Sequence, residues 1–416
     1  MKDSKFLRFL DRGVGALLCF ALTLLVRAKR TRRPPDFPIK KILVIELFEM
    51  GAAVMIAPSL SYLLKTIPGV ELHALTGEST QPVWKILGLI PEQNVHVIGG
   101  NGLFSFVSSS LKKLLTLRRV SPDLIIDYNL FLRYTALISG AIPARSRAGF
   151  YKYELEGLYR GNIYDTKCYF NQNEHISKNF LALTKAALKP QQDSPGLKES
   201  ISTEELKIPS FSSNSKARLA IEQKLRNLCP DQKYSLLVVS PDVGPTLAVR
   251  NYPAASFASA ITEVLVSDRQ LLTVIVGTER DRGTADTVVR LVNSDRCVSL
   301  CGQTNFSELL ELLAMANLVV CNDNGIGHFS ALTQTKAVAL FSTDSPYVYG
   351  PLGDCTIIYS FYHCSPCILA YNHKKTRCQD NLCLQSIPSS TLATYITKGL
   401  KGQLRGRTIN NEASYL

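Results

Sequence analysis

The sequence has no glycine-rich phosphate cradle, no zinc-finger or basic-zipper pattern, no RNA-binding sheet motif and no long low-complexity tract. Charge is scarce: 19% of the 416 residues are charged and 46% hydrophobic. That balance excludes a disordered chain and allows sizeable cores. Long apolar runs are missing as well. The uncharged stretch GVGALLCFALTLLV, residues 13–26, has 14 residues, short of the about 20 that span a bilayer. RAKRTRRPP follows where a secretory signal would carry small residues for cleavage, and so basic a flank opposes translocation. Eleven cysteines make an odd total, several of them in apolar stretches. A reducing compartment is expected rather than a disulfide scaffold.

The net charge of +13 is unevenly placed. Residues 1–41 carry eleven Lys or Arg against three Asp, which is +8 and leaves +5 for the other 375 residues. The body is only mildly basic, so nucleic acid is not an expected partner. Phe6, Leu7, Phe9 and Leu10 extend the apolar surface of residues 13–26 between basic side chains. This composition suits a helix lying in a membrane interface against anionic lipid; a helix packed on the protein is the alternative. Pro34, Pro35 and Pro38 then stiffen the connection to the body.

From residue 42 onward, short β-branched runs alternate with helical stretches, as in doubly wound parallel sheets. ILVIEL, ELHAL, VHVIG, DLIIDYN and SRAGFY are predicted strands of a first domain. SLLVVSP, LLTVIVG, VSLCG, LVVCND and AVALFS are those of a second. The expected layout is a basic helix and linker over 1–40, a first α/β domain over 41–187, a Ser- and Pro-rich linker over 188–214, a second α/β domain over 215–402 and a tail over 403–416. Two such α/β domains facing a cleft would bind ligands at strand C-terminal ends.

The stretch NLVVCNDNGIGHFSALTQT, residues 317–335, places Asp323 after a strand, Gly325 and Gly327 in the turn, and His328 near the start of a helix. A helix N-terminus with a nearby donor suits a diphosphate; a capping Asp and a locally bonded His are the other reading. Together with SPDVGPTLAVRNYPAASFASAI upstream, FSTDSPYVYGP downstream and the opening ILVIELFEMGAA, it resembles glycosyltransferase family 9, the ADP-heptose:lipopolysaccharide heptosyltransferases.

The resemblance implies two facing Rossmann-like domains of the GT-B type and an inverting enzyme with no cofactor and no catalytic metal. It implies a nucleoside diphosphate sugar donor, ADP-heptose by default, and a glycolipid or lipopolysaccharide-core acceptor. The expected location is cytoplasmic, peripheral on the inner face of the membrane. A relative that has lost catalysis and only binds sugar nucleotide or glycolipid is the alternative function.

The family's donor motif D-[ST]-G-x-x-H falls on Asp323, Asn324, Gly325 and His328, and its phosphate-binding Lys on Arg250. Arginine keeps the cation and adds a fork suited to phosphate. GTERD resembles the segment near the nucleotide ribose, with Asp281 as the matching carboxylate and Glu279 its competitor. On the acceptor side Gly51, Asp127 and Arg133 are candidates, and His175 could reach an acceptor. Cys364, Cys367, Cys378 and Cys383 leave open a zinc knuckle or reduced loop cysteines.

The family's opening motif reads R-L-S-x-L-G-D, its final Asp being the implied base. Here residues 46–52 read ELFEMGA. Ala52 cannot take a proton, so the expected base is Glu49, with Glu46 second. Some members share E-M-G without the Asp, which implies a variant turn.

Overall fold

The central strands of both sheets are runs of four or five mainly aliphatic or β-branched residues buried on both faces, the pattern parallel sheets require. The computed structural model describes residues 11–29, 37–100, 102–130, 132–151, 159–189, 196–229, 234–370 and 376–411. They belong to two compact units, Met1–Lys207 and Ile208–Leu416.

In the first unit, β1 (Lys41–Ile45), β2 (Glu71–Gly77), β3 (Val95–Ile98), β4 (Leu124–Asp127), β5 (Ser146–Phe150) and β6 (Thr166–Cys168) lie in the spatial order β3-β2-β1-β4-β5-β6. All neighbouring strands are parallel. The helices are α1 (Val14–Lys29), α2 (Met50–Thr66), α3 (Gln81–Leu87), α4 (Leu103–Val120), α5 (Arg133–Ala141) and α6 (Ile176–Ala187). Leu43, Ile45, Ile125 and Ile138 centre the core beneath α4 and α5, each fully buried side chain contributing about 1.5–3 kcal/mol.

In the second unit, β7 (Ser235–Ser240), β8 (Leu271–Ile275), β9 (Cys297–Ser299), β10 (Leu318–Asn322), β11 (Ala337–Phe341), β12 (Cys355–Tyr359) and β13 (Thr408–Asn411) have the order β13-β12-β11-β10-β7-β8-β9. They too are parallel. Their helices are α7 (Ser215–Leu228), α8 (Ala254–Ser267), α9 (Arg282–Val292), α10 (Phe306–Met315), α11 (Gly325–Leu332), α12 (Pro346–Tyr349), α13 (Leu382–Gln385) and α14 (Ser389–Leu400). Both sheets reverse strand order at one place, β1/β4 and β7/β10, and such a switch point opens a ligand crevice at the strand C-terminal ends.

Three details differ from the sequence expectation. β12 is an additional buried strand, and the expected tail supplies β13 at the sheet edge, where a polar segment with one aliphatic side chain, Ile409, suffices. SRAGFY is not the edge strand, because β6 pairs outside it. The helix α1 packs on α5 through Cys19 and Leu22 against Ala136 and Leu137, while Thr23 accepts the Asn162 N–H at 2.8 Å. Gly140 of α5 permits this approach, since a Cβ there would lie 2.5 Å from Leu22. The other face of α1 exposes Val14, Leu17, Leu18, Phe20, Leu24 and Leu25. Among the described residues no helix is long and apolar enough to cross a membrane.

Two buried histidines bind β2 to β3. His73 Nδ1 lies 3.2 Å from His96 Nε2, and His73 Nε2 lies 3.0 Å from Glu71 Oε1. Burial lowers the pKa of both, and that of His96, with His73 and Lys113 adding to the effect, falls to about 4. An unfolded histidine titrates near 6.5, so between there and about 4 the unfolded chain takes up a proton that folded His96 refuses. Stability of the first unit should fall with pH across that window and level off below it. His96→Gln should flatten the dependence in denaturant titrations read by the fluorescence of Trp84, the chain's single tryptophan.

Candidate active site

β1 leads directly into the turn that begins α2. Glu46 is buried there, and its Oε1 accepts the backbone N–H groups of Phe48 and Glu49, each at 3.2 Å. Phe48 packs against the core of the unit. Held by this carboxylate and this ring, the turn presents Glu49 exposed at the N-cap of α2, its side chain making no capping bond. Ala52 is the third residue of the same helix. N-cap and N3 side chains face one another, as in a capping box.

Across the switch point, Asp127 ends β4 with no exposed surface. Its Oδ2 accepts from Arg160 at 2.5 Å and from the Tyr164 hydroxyl at 2.7 Å. Its Oδ1 accepts from the Asn129 backbone at 3.0 Å and the Asn129 side chain at 3.2 Å. Arg160 further donates to Leu132 O, Asn129 O and Thr135 Oγ1. Burial opposes the charge on Arg160, but Asp127, Tyr164 and Cys19 together outweigh it and raise the arginine's pKa. This is a closed ion-pair network.

In the second unit, β10 ends at Asn322. The Asn322 amide donates to Pro241 O at 2.6 Å, and its oxygen accepts the Tyr252 N–H at 3.2 Å. The turn carrying Arg250 is thereby hung on β10. Asn324 caps α11 by accepting from Ile326 N at 3.0 Å, while its amide donates to Ser240 Oγ and Asp242 O. Arg250 Nη1 lies 3.6 Å from Asp323 Oδ2, and its Nη2 contacts Asp344. His328 is buried in α11, fourth from its start. Asn381 donates to Val249 O at 3.0 Å and Asn251 O at 2.7 Å, fixing the residues on either side of Arg250.

With this geometry in hand, comparison with known proteins is informative. The model of glycosyltransferase family 9 (heptosyltransferase) matches residues 110–376, well over half of the chain. The chain belongs to that family. It is similar to lipopolysaccharide heptosyltransferase 1 of Campylobacter coli, 21% identical over 313 residues that cover 74% of this chain and 85% of the relative. Among solved structures it resembles E. coli ADP-heptose lipopolysaccharide heptosyltransferase II, with TM-score 0.64, 17% identity and coverage of 87% and 99%. An E. coli heptosyltransferase solved with ADP gives TM-score 0.60 at 14% identity, covering 86% and 99%. These structures share the fold of two doubly wound parallel sheets, and the chain is a glycosyltransferase.

Within this family 9 chain, several expected site residues make hydrogen bonds or ion pairs inside their own unit. Asp127 is enclosed by its four hydrogen bonds and not presented to an acceptor. Arg133 is buried, and Asp11 both pairs with it and accepts the Arg133 and Tyr134 N–H groups at the start of α5. His175 is the N-cap of α6, accepting from Ser177 N at 3.2 Å. Glu46 supports the turn from inside through the N–H groups of Phe48 and Glu49. Asn324 directs its amide donors to β7 and the loop after it rather than to a ligand. Gly327 is explained by packing, since a Cβ there would lie 2.8 Å from Pro351. Asp281 accepts from Thr278 N and Oγ1 at 2.7 and 2.8 Å, whereas exposed Glu279 pairs with Arg282.

Gly51 stays in the first turn of α2, and Gly325 opens α11. No three His, Cys, Asp or Glu side chains among the described residues are placed to hold a metal. Cys364, Cys367, Cys378 and Cys383 form no disulfide with one another.

Asp344 and Asn381 are additions. The first follows β11, one strand beyond β10, so its place at a strand C-terminus was the available signal. Asn381 sits between Cys378 and Cys383, and nothing in its sequence context points to Arg250.

Arg250 neutralises two carboxylates that are 11% and 3% exposed. Removing one member of such a group leaves buried charge uncompensated. Arg250→Ala should therefore destabilise the second unit by about 3 kcal/mol before any ligand is added, measured by denaturant unfolding at neutral pH. Arg250→Ala with Asp344→Asn should recover part of that loss.

Proposed function

We propose that this chain transfers a sugar, heptose by default, from a nucleoside diphosphate sugar to a lipid-linked or lipopolysaccharide-type acceptor, with inversion and without a catalytic metal. It works at the inner face of the cytoplasmic membrane. The observation that carries this reading is the group at the β7/β10 switch point: a guanidinium, a histidine and the N-terminus of α11 together at strand C-terminal ends. Such a group suits the negative charge that gathers on a leaving nucleoside diphosphate. Arg250, His328 and Gly325 bind the donor phosphates, Asp323 and Asp344 orient Arg250, and Glu279 serves the ribose. The names of the relatives, lipopolysaccharide heptosyltransferases, and the presence of ADP in one solved structure support the donor class.

The first unit takes the acceptor. Glu49 removes the proton from the acceptor hydroxyl as its oxygen attacks the anomeric carbon and the bond to the diphosphate breaks. The helix dipole of α2 favours negative charge at that position. Ala52 is the one observation that favours a second reading, a binding protein without turnover.

The test pairs turnover with binding. Glu49→Gln should lower transfer by roughly 10²–10⁴-fold, the usual contribution of a positioned base, while nucleoside diphosphate still raises the melting temperature as in wild type. Full activity in that variant would remove Glu49 as base. Wild-type protein that binds the donor but turns over no acceptor would establish the binding-only reading.

A further inference from the structure

The helix α4 has an outward face that neither the fold nor the proposed chemistry uses. Leu103, Phe104, Val107, Leu111 and Leu115 are exposed, Phe104 by 89%. Residues 104, 107, 111 and 115 follow a 3-4-4 spacing, which aligns them in one stripe along the helix. The opposite side is well anchored: Phe106 meets Tyr134 with ring centroids 5.2 Å apart, the Tyr134 hydroxyl donates to Ser110 at 2.6 Å, and Leu117 is buried in the core. The stripe is thus a fixed feature of a packed helix.

Its charge names the occupant. α4 has no acidic residue, and Lys112, Lys113, Arg118 and Arg119 make it +4 over 18 residues. Lys112, Arg118 and Arg119 are exposed beside or at the end of the stripe. Apolar side chains bordered by cations are the composition of a helix seated at the boundary of headgroups and acyl chains. α1 packs on α5 as well, through Cys19 and Leu22 against Ala136 and Leu137, and it also turns large apolar residues outward.

We propose that α4 is a lipid-docking face for an anionic bilayer, acting beside α1. The idea deepens the membrane location proposed above and rests on it. Its two components are separable: the stripe enters the acyl boundary, and Lys112, Arg118 and Arg119 meet anionic headgroups, each cation contributing roughly fivefold to partitioning.

The test is sedimentation of the full-length protein with vesicles of phosphatidylcholine alone or with one quarter phosphatidylglycerol. Wild type should bind the anionic vesicles at least about 25-fold more tightly. Phe104→Ser with Leu111→Ser should lose about tenfold on both compositions. Lys112→Gln with Arg119→Gln should lose roughly 25-fold on anionic vesicles and little on neutral ones. Because these residues are exposed, melting temperature and Trp84 fluorescence should match wild type. Wild-type binding by both α4 variants would overturn the proposal, as would dependence on Leu17 and Phe20 of α1 alone. So would a wild-type dimer, seen by light scattering, that the α4 variants disperse without any vesicle binding. Nucleoside diphosphate binding, measured without vesicles, should be unchanged in every variant. If wild type fails to bind nucleotide, the enzymatic reading falls while the vesicle result stands.

Discussion

A side-chain amide spans the parting of the strands in each unit, and the candidate site hangs from it. Where a doubly wound sheet changes direction, the two central strands send their loops to opposite sides and leave backbone carbonyls facing the crevice. A buried carbonyl without a donor is costly. Ile45 O at the end of β1 accepts the Tyr128 N–H at 3.1 Å and the Asn129 amide at 3.0 Å, and Asn322 donates to Pro241 O at 2.6 Å just beyond β7. Each amide comes from the strand, or the residues just after it, on the far side of the switch. Asn322 uses its oxygen as well, to hold Tyr252 and with it the turn bearing Arg250. Satisfying the backbone and placing the cation are one act here.

Two arginines show how a structural charge differs from one available to a ligand. Arg160 is completely enclosed, and its N–H groups go to two carbonyls, a hydroxyl and the carboxylate of Asp127. Opening that network would strand a charge in low dielectric, so it serves to shape the end of β4. Arg250 retains some exposure, and its contact to Asp323 is a loose 3.6 Å. A diphosphate can compete for such a group without dismantling a core. The carboxylates of Asp323 and Asp344 set the orientation of Arg250.

The parts of this protein legible in the sequence are those where one physical pattern dominates. Fully buried strands such as LVVCN and AVALF announce themselves as continuous apolar runs, and the alternation of strands with helices gives the doubly wound class. β13 escapes because an edge strand needs little apolar surface, and β12 because nothing in its short run distinguishes it from a buried loop. Among site residues, Arg250 and His328 are readable from their place in motifs. The status of Asp127 is not, since Arg160 lies 33 positions away and Tyr164 lies 37. Long-range pairing of charges is invisible to local spacing, and so is the support that Asn381 gives to Arg250 from 130 residues away.

The opening turn repays the same kind of reading. The family motif that this chain resembles places an Arg where Glu46 stands and an Asp where Ala52 stands, so the turn has exchanged a charge pair for two carboxylates. Two such groups three residues apart would repel if both faced the crevice. They do not share it. Glu46 is turned inward, its oxygen taken by the N–H groups of Phe48 and Glu49, and the dipoles of those groups offset its charge without a cation. Glu49 is left outside at the helix start, its backbone fixed by the residue that replaced the Arg. The residue that stands in place of the family's Arg is thus the one that fixes the backbone at which Glu49 begins the helix.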